Sequence, residues 1–238
     1  MENDDFQYLN DVANSLNSRG LNIDDIAKFM KIKTSSFLVP SQQALKHFKQ
    51  LFDQLMTNEY DQKEKGKLLE DLVSALFVDG YPNIFEVRRN CKTSSNEIDI
   101  QVNWSKEAQR LKLMPIMSSD NTSFLCECKN YENKADVTNV GKFYSLMCYT
   151  KTILGLFISW NGVTGKDNSW KDSIGLIKKL ALGDEKYIIV LSKLDLQRIR
   201  DEKTNIFELI EDKYNALKND IDYKTYIKKH EIEIQKKW

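Results

Sequence analysis

The sequence predicts an α/β fold in which a mixed central β-sheet is flanked by helices. The first observation is the order of the periodic segments between residues 65 and 191, which runs helix, strand, strand, strand, helix, strand, helix, strand. The second is that the first three strands follow one another without a helical crossover, whereas helices separate the later ones, which is typical of a mixed sheet covered by helices. Further helical patterns on both sides predict additional N- and C-terminal helical regions.

The best-defined element is an amphipathic helix over 65–78, which the turn residues of 79–82 end. A change of period from 3.6 to 2 then predicts strands over about 84–89, 96–102, 123–129, 152–159 and 187–191. Helical spacing predicts two core helices over 136–149 and 170–182. The polar stretch 103–122 has no firm assignment.

Three regions are expected along the chain: an N-terminal helical accessory region over 1–60, a core over 61–195 and a C-terminal helical region over 196–238. The first region contains helical patterns at 4–17, at 22–30 and from Pro40 onward. The last contains patterns from about 195, near 205–218 and over 222–236. None of these flanking helices carries recognisable chemistry.

Composition excludes several classes of protein. The 35 basic residues balance 35 acidic ones, so any DNA binding must come from a local basic surface or from metal ions rather than from bulk charge. No apolar run approaches the ~20 residues that span a bilayer, so no membrane association is expected. The acidic, polar N-terminus is unlike a secretory signal, and the four cysteines lack zinc-site spacing, which indicates a cytoplasmic protein with reduced thiols.

Two neighbouring predicted strands bring chemically useful side chains together. Side chains alternate along a strand, so Asp99 faces away from the apolar Ile98 and Ile100, and Glu127 shares a face with Lys129. If the strands pair, Asp99 lies beside Glu127 and Lys129. Alternation also places Cys126 and Cys128 with Phe124 on the opposite face, which predicts buried thiols rather than metal ligands.

Such a grouping needs a counter-charge, because two carboxylates held close together resist ionisation. Mg²⁺ suits the site, since it binds one or two carboxylates with water and substrate phosphate. A nearby lysine can hold the attacking water or stabilise charge on a phosphate, so the pattern favours phosphodiester hydrolysis. Glu70, on the helix before the sheet, is the fourth candidate, and the adjacent Asp71 is its rival.

These residues carry a family resemblance. Glu70, Ile98-Asp99 and Glu127-Cys128-Lys129 resemble the E…(P)D…(D/E)xK pattern of restriction-endonuclease-like nucleases. The stretch 65–195 is similar to the Mrr-type restriction endonuclease domain, as seen in KGKLLEDLVSALFVDGYPN, FLCECKNY, VTNVGKFYSLM and GLFISWNG. Three departures stand out: Asn96-Glu97 where many such domains have glycines, Glu127 where many have glutamine, and the long stretch 103–122.

The resemblance implies a restriction-endonuclease-like fold and an Mg²⁺-dependent DNA endonuclease, with Mn²⁺ as a substitute metal. It implies catalytic roles for Glu70, Asp99, Glu127 and Lys129. The implied metal ligands are Asp99, Glu127, the backbone carbonyl of Cys128, and Glu70 directly or through water.

The implied context is restriction and antiviral defence, with DNA as the partner. A repair or junction-resolving nuclease stays open, as does a pseudo-nuclease that binds DNA or protein without cutting. A homodimer would supply two active sites for duplex cleavage, and the helical flanks could bind a regulatory protein.

Overall fold

The structure is a computed structural model that describes residues 11, 14–20, 39–57, 59–92, 97–111, 122–166 and 170–220. Contacts divide the chain into two units, Met1–Val39 and Pro40–Trp238. In the first unit, residues 14–17 are helical and fall within the predicted helix 4–17. The predicted helices over 22–30 and 222–236 lie outside the described residues.

The second unit is built on a five-stranded mixed sheet, which confirms the predicted α/β fold. The strands are β1 (Phe85–Lys92), β2 (Glu97–Trp104), β3 (Ser123–Lys129), β4 (Leu154–Ser159) and β5 (Tyr187–Leu191). They lie side by side in chain order. The pairs β1–β2 and β2–β3 are antiparallel, whereas β3–β4 and β4–β5 are parallel and are joined by helical crossovers.

Seven helices of the second unit are described: α1 (Gln42–Met56), α2 (Gln62–Val78), α3 (Lys106–Leu111), α4 (Val137–Tyr149), α5 (Asp172–Gly183), α6 (Lys193–Arg200) and α7 (Ile206–Lys218). Helix α2 begins three residues before its predicted start because Asp61 caps it. The Asp61 side chain accepts from the Glu64 backbone, and the Glu64 side chain accepts from the Asp61 backbone.

One layer of the core lies between the sheet and helices α4 and α5. It consists of buried apolar side chains: Ile98, Leu125, Ala135, Val140, Phe143, Leu146, Met147, Phe157, Val163, Ile177, Leu180 and Ile188. Gly155 lets α4 approach β4 closely, because a Cβ there would stand 2.6 Å from the Phe143 ring and 2.7 Å from the Met147 sulfur.

The other layer is rich in aromatic rings. Phe124 of β3 contacts Phe77 of α2 and Trp104 of β2, with ring centroids 5.5 and 5.7 Å apart. Phe85 of β1 stacks on Phe207 of α7 at 5.6 Å. Helix α2 and the start of α7 therefore cover the sheet face opposite α4 and α5. Leu217, near the end of α7, packs against the layer of α4 and α5, and both faces are buried.

The flanking helices 42–56, 193–200 and 206–218 fall in the same compact unit as the sheet. The division into regions 1–60, 61–195 and 196–238 stays a prediction.

No helix among the described residues is both long and apolar enough to cross a membrane.

Candidate active site

The candidate site forms where β2 and β3 stop pairing. The last paired residues on this side are Ile100 and Cys126. One residue further along each strand are Asp99 and Glu127. Although the backbones no longer pair here, Asp99 still contacts β3, because its Oδ2 accepts a hydrogen bond of 2.9 Å from the Cys128 backbone N–H. The candidate residues of both strands thus meet at one end of the antiparallel pair.

The regular alternation of β2 breaks at Asp99. Simple alternation predicts that Ile98 and Ile100 share a face, and Ile100 does lie opposite Cys126. Ile98, however, packs in the cluster that contains Leu125, on the other face of the sheet. On the adjacent β1, Asn90 has a left-handed φ of 50°, which marks a local distortion of the strand pair.

Glu127 and Lys129 form a close ion pair on one face of β3. The Lys129 Nζ lies 2.5 Å from Glu127 Oε1, and only 22% and 13% of the two side chains are exposed. The second oxygen, Glu127 Oε2, is buried and has no hydrogen-bond partner. A buried carboxylate oxygen without a donor is uncommon, because its desolvation costs free energy that nothing repays.

The electrostatics of this pair reflect the surrounding acids. Burial and the nearby charge of Asp99 raise the pKa of Glu127, although Lys129 opposes the shift. Burial disfavours the charged form of Lys129, but the charges of Glu127 and Asp99 outweigh it and raise the pKa of the ammonium. The site therefore holds more negative charge than its lysine neutralises.

Glu70 faces this site from helix α2. Burial and the charge of Asp99 raise the pKa of Glu70, so the two carboxylates interact electrostatically. Arg89 of β1 contacts both rivals on the helix: its Nη1 lies 2.6 Å from Asp71 Oδ1, and its Nη2 lies 3.4 Å from Glu70 Oε2. Asp71 is thus the closer partner of Arg89, whereas Glu70 is the acid that interacts electrostatically with Asp99.

Cys126 and Cys128 are buried, as the strand pattern predicts, and neither forms a disulfide. Burial raises the pKa of both thiols well above the usual range. A buried, protonated thiol is a poor metal ligand, because the thiolate is the ligating form. The side chains that could bind a metal are therefore the carboxylates.

The donor set fits a hard divalent cation. Among the described residues, no three histidine, cysteine or acidic side chains are already arranged around one point. Mg²⁺ does not require this, since it commonly keeps several waters and uses one or two carboxylates. Glu127 Oε2 lacks a donor, and Asp99 uses Oδ2 for the Cys128 N–H. Two carboxylates with this surplus of negative charge match such an ion.

Comparison with known families decides the classification. The model of the Mrr catalytic domain, described as a restriction endonuclease, matches residues 62–189, more than half of the chain. The chain belongs to this restriction endonuclease family. No curated protein matches the chain, and no solved structure does.

In this restriction endonuclease domain, the family match runs from the first residue of α2 into β5. It includes Glu70, Asp99, Glu127 and Lys129, and it confirms the resemblance to the Mrr-type domain. Helices α1, α6 and α7 lie beyond the matched residues.

Two sets of polar contacts around the site could not be predicted from the sequence. The first is made by Arg89, whose partners lie on a helix that precedes it by almost twenty residues. The second is made by amide side chains: Gln62 and Asn161 donate to backbone carbonyls just beyond Lys129. Asn130, the residue after Lys129, donates to the Lys65 carbonyl of α2. A basic residue in a strand and scattered amides give no signal in a single sequence, since only the fold brings them to the site.

Proposed function

We propose that this protein is an Mg²⁺-dependent endonuclease that hydrolyses phosphodiester bonds of DNA in the restriction of foreign DNA. The observation that carries the proposal is the buried Glu127 Oε2, which has no hydrogen-bond donor. This oxygen belongs to the carboxylate that pairs with Lys129, near Asp99, in a domain of the restriction endonuclease family. A carboxylate oxygen in that state is suited to a cation that the protein acquires from solution.

Asp99 and Glu127 would hold the ion, with the backbone carbonyl of Cys128 and with Glu70 directly or through a water. Mn²⁺ should substitute for Mg²⁺, because both accept oxygen ligands. When bound, such an ion polarises a phosphodiester and lowers the pKa of a bound water. The hydrogen bond from Cys128 fixes the Asp99 carboxylate against β3, which keeps both acidic ligands in one orientation.

Lys129 supplies the positive charge that the chain itself brings to the reaction. Its ammonium is mostly shielded from solvent and already lies against Glu127. From this position it can donate a hydrogen bond to the attacking water or to a phosphate oxygen that gains negative charge. Such preorganised donors lower the barrier most when water is largely excluded.

The wider biological proposal follows the family. A restriction enzyme acts on DNA in the cytoplasm, and cutting both strands of a duplex would usually need two active sites. A homodimer would provide them. The helical flanks, over 1–60 and 196–238, would then be available for a regulatory protein or for DNA.

Plasmid cleavage tests the proposal most directly. Purified protein should convert supercoiled plasmid to nicked or linear DNA with Mg²⁺ or Mn²⁺ and should leave it intact with EDTA. Asp99→Asn should be inactive under both conditions. Binding of the plasmid without cleavage at any metal concentration would reject hydrolysis and support the non-cutting alternative.

A further inference from the structure

A polar cavity opens directly beyond the candidate catalytic lysine. It has a volume of about 460 Å³, and its lining includes Tyr60, Gln62, Asn130, Tyr131, Trp160 and Asn161. Asn130 is the first residue after β3, so the cavity begins where the strand of Glu127 and Lys129 ends. A second cavity of about 500 Å³ shares Gln62, Tyr131 and Glu132 with it. Tyr131 is therefore common to both.

The backbone around Tyr131 is held by side-chain amides from two other elements. Gln62, at the start of α2, donates to the Asn130 carbonyl. Asn161, which follows β4, donates through Nδ2 to the carbonyls of Tyr131 at 2.8 Å and Glu132 at 3.0 Å. Three consecutive carbonyls are thus fixed, and the loop that presents Tyr131 is preorganised.

Tyr131 itself keeps 41% of its surface exposed, although it lies only two residues from Lys129. A single exposed tyrosine is common on protein surfaces. Here, however, the exposed ring combines with a fixed backbone, a place on two cavities and proximity to the candidate catalytic strand. Together these features describe a surface prepared for a flat ligand.

The charge of the first cavity selects the class of ligand. Its lining contains two lysines, Lys65 and Lys193, and two acids, Asp61 and Glu132. The charges cancel, so the cavity gives no net attraction to a phosphate. Amide and hydroxyl groups dominate the rest of the polar lining. A neutral, planar and polar group such as a nucleobase suits this surface better than an anion does.

We propose that Tyr131 stacks on a nucleobase next to the scissile phosphate and that the polar cavity receives this base. The inference rests on the proposed function and adds a subsite to it. An aromatic ring in a polar groove can stack on any base, because every base presents a π-face. Such stacking should strengthen binding by about 5- to 100-fold per base. The subsite favours DNA in which that base is unpaired.

Binding of two fluorescent single-stranded oligonucleotides, measured by anisotropy in EDTA, tests the subsite without requiring cleavage. One probe carries ordinary bases, and the other has the same length, about 12 nucleotides as suits single-strand sites, with tetrahydrofuran abasic residues throughout. The wild type should bind the base-containing probe about 5- to 100-fold more tightly. Tyr131→Phe should keep this preference, and Tyr131→Leu should reduce it to within about twofold of unity.

Two further variants make the comparison specific. Tyr149→Leu is the matched control, because Tyr149 is also exposed but lies at the far end of α4. It should behave as the wild type. Asn161→Ala keeps the ring but removes the donor to two carbonyls of the loop, so it should weaken the preference several-fold. The tyrosine variants should melt at the wild-type temperature, and Asn161→Ala should stay folded at the assay temperature, which excludes unfolding as the cause.

The results separate this inference from the proposed function. If Tyr131→Leu and Tyr149→Leu preferred the base-containing probe over the abasic probe equally, the proposed subsite would be wrong even if the wild type cuts plasmid. A base preference that depends on Tyr131 would support it even in a protein that never cuts. If cleavage occurs, Tyr131→Leu should raise KM for single-stranded DNA more than it lowers kcat, and the reverse pattern would also count against stacking.

Discussion

Asp99 Oδ2 accepts a hydrogen bond of 2.9 Å from the backbone N–H of Cys128, at the point where β2 and β3 no longer pair. A side chain thereby replaces a backbone acceptor of the sheet. The Cys128 N–H lies between Glu127 and Lys129, so this one bond ties Asp99 to the strand that carries the other two candidates. The geometry of the candidate site is consequently built into the sheet.

The Asp99 hydrogen bond predicts different stabilities for two inactive variants. Asp99→Asn keeps an oxygen acceptor for the Cys128 N–H and removes a charge that repels Glu127 and Glu70. Asp99→Ala leaves the N–H without its acceptor, at a cost of about 1–3 kcal/mol. In metal-free buffer, Asp99→Asn should therefore melt higher than Asp99→Ala, while neither cuts plasmid. Equal melting temperatures would argue against this hydrogen bond.

Lys129→Ala should separate metal binding from chemistry. An ammonium is not a metal ligand, so the variant should still be stabilised by Mg²⁺, but its cleavage rate should fall by about 10²–10³-fold. Without metal, the free energy of unfolding should fall by roughly 1–3 kcal/mol, because Glu127 loses its partner at 2.5 Å. Single-turnover cleavage and thermal melting measure the two effects.

The matched control for Lys129→Ala is Lys179→Ala, on the exposed side of α5. It should cut and melt as the wild type does. Cleavage by Lys129→Ala at the wild-type rate would exclude the lysine from the chemical step.

Glu70 and Asp71 should respond differently to loss of charge. Glu70 interacts with Asp99, whereas Asp71 is the closer partner of Arg89. Glu70→Gln should therefore slow cleavage by about 10–100-fold, the range for groups that orient a metal site from its periphery. Asp71→Asn should have a smaller effect, and Arg89→Ala should destabilise the fold by about 1 kcal/mol or less, because the ion pairs are partly exposed. A larger loss of cleavage rate in Asp71→Asn than in Glu70→Gln would assign the role at the metal site to Asp71 instead of Glu70.

Sequence periodicity predicts the sheet closely where its strands are regular. The bounds of 123–129 and 187–191 agree with β3 and β5, since alternating side chains mark the Glu127 end of β3 and a continuous apolar run marks β5. The shared face of Glu127 and Lys129 follows from the same alternation. Ile98 is the exception, because the alternation breaks at Asp99 where the neighbouring Asn90 is left-handed.

The rest could not be predicted, because it depends on tertiary contacts or on very short elements. Helix α3 has six residues, too few to give a periodic signal within the polar stretch 103–122. The contacts of Arg89 with α2 and of Asn161 with the loop after β3 join segments that are distant in sequence. Only the three-dimensional fold selects these partners from many residues of the same type.

The four cysteines should divide into reactive and protected thiols. Cys148 is exposed, Cys91 is half-buried, and Cys126 and Cys128 are buried with raised pKa values. Because the thiolate is the reactive form, a disulfide reagent should label Cys148 within the first phase and should reach Cys126 and Cys128 only after denaturation. Cys148→Ser should remove the fast phase. Fast labelling of Cys126 in the native protein would contradict the register of β3.

Glu127→Gln should keep or increase the stability of the metal-free protein but should lose metal binding. The glutamine removes a negative charge that burial and Asp99 disfavour, so the metal-free variant should melt at or above the wild-type temperature. Mg²⁺ at about 100 times its Kd should stabilise the wild type by about 2.7 kcal/mol, because it binds only the folded state. The variant lacks the carboxylate, so this stabilisation by Mg²⁺ should largely disappear together with cleavage.

The control for Glu127→Gln is Glu211→Gln, on the exposed side of α7, which should keep the full stabilisation by Mg²⁺. If Mg²⁺ stabilised Glu127→Gln as much as it stabilises the wild type, the metal would bind elsewhere, since the buried Glu127 Oε2 without a donor is the feature that assigns the metal to this site.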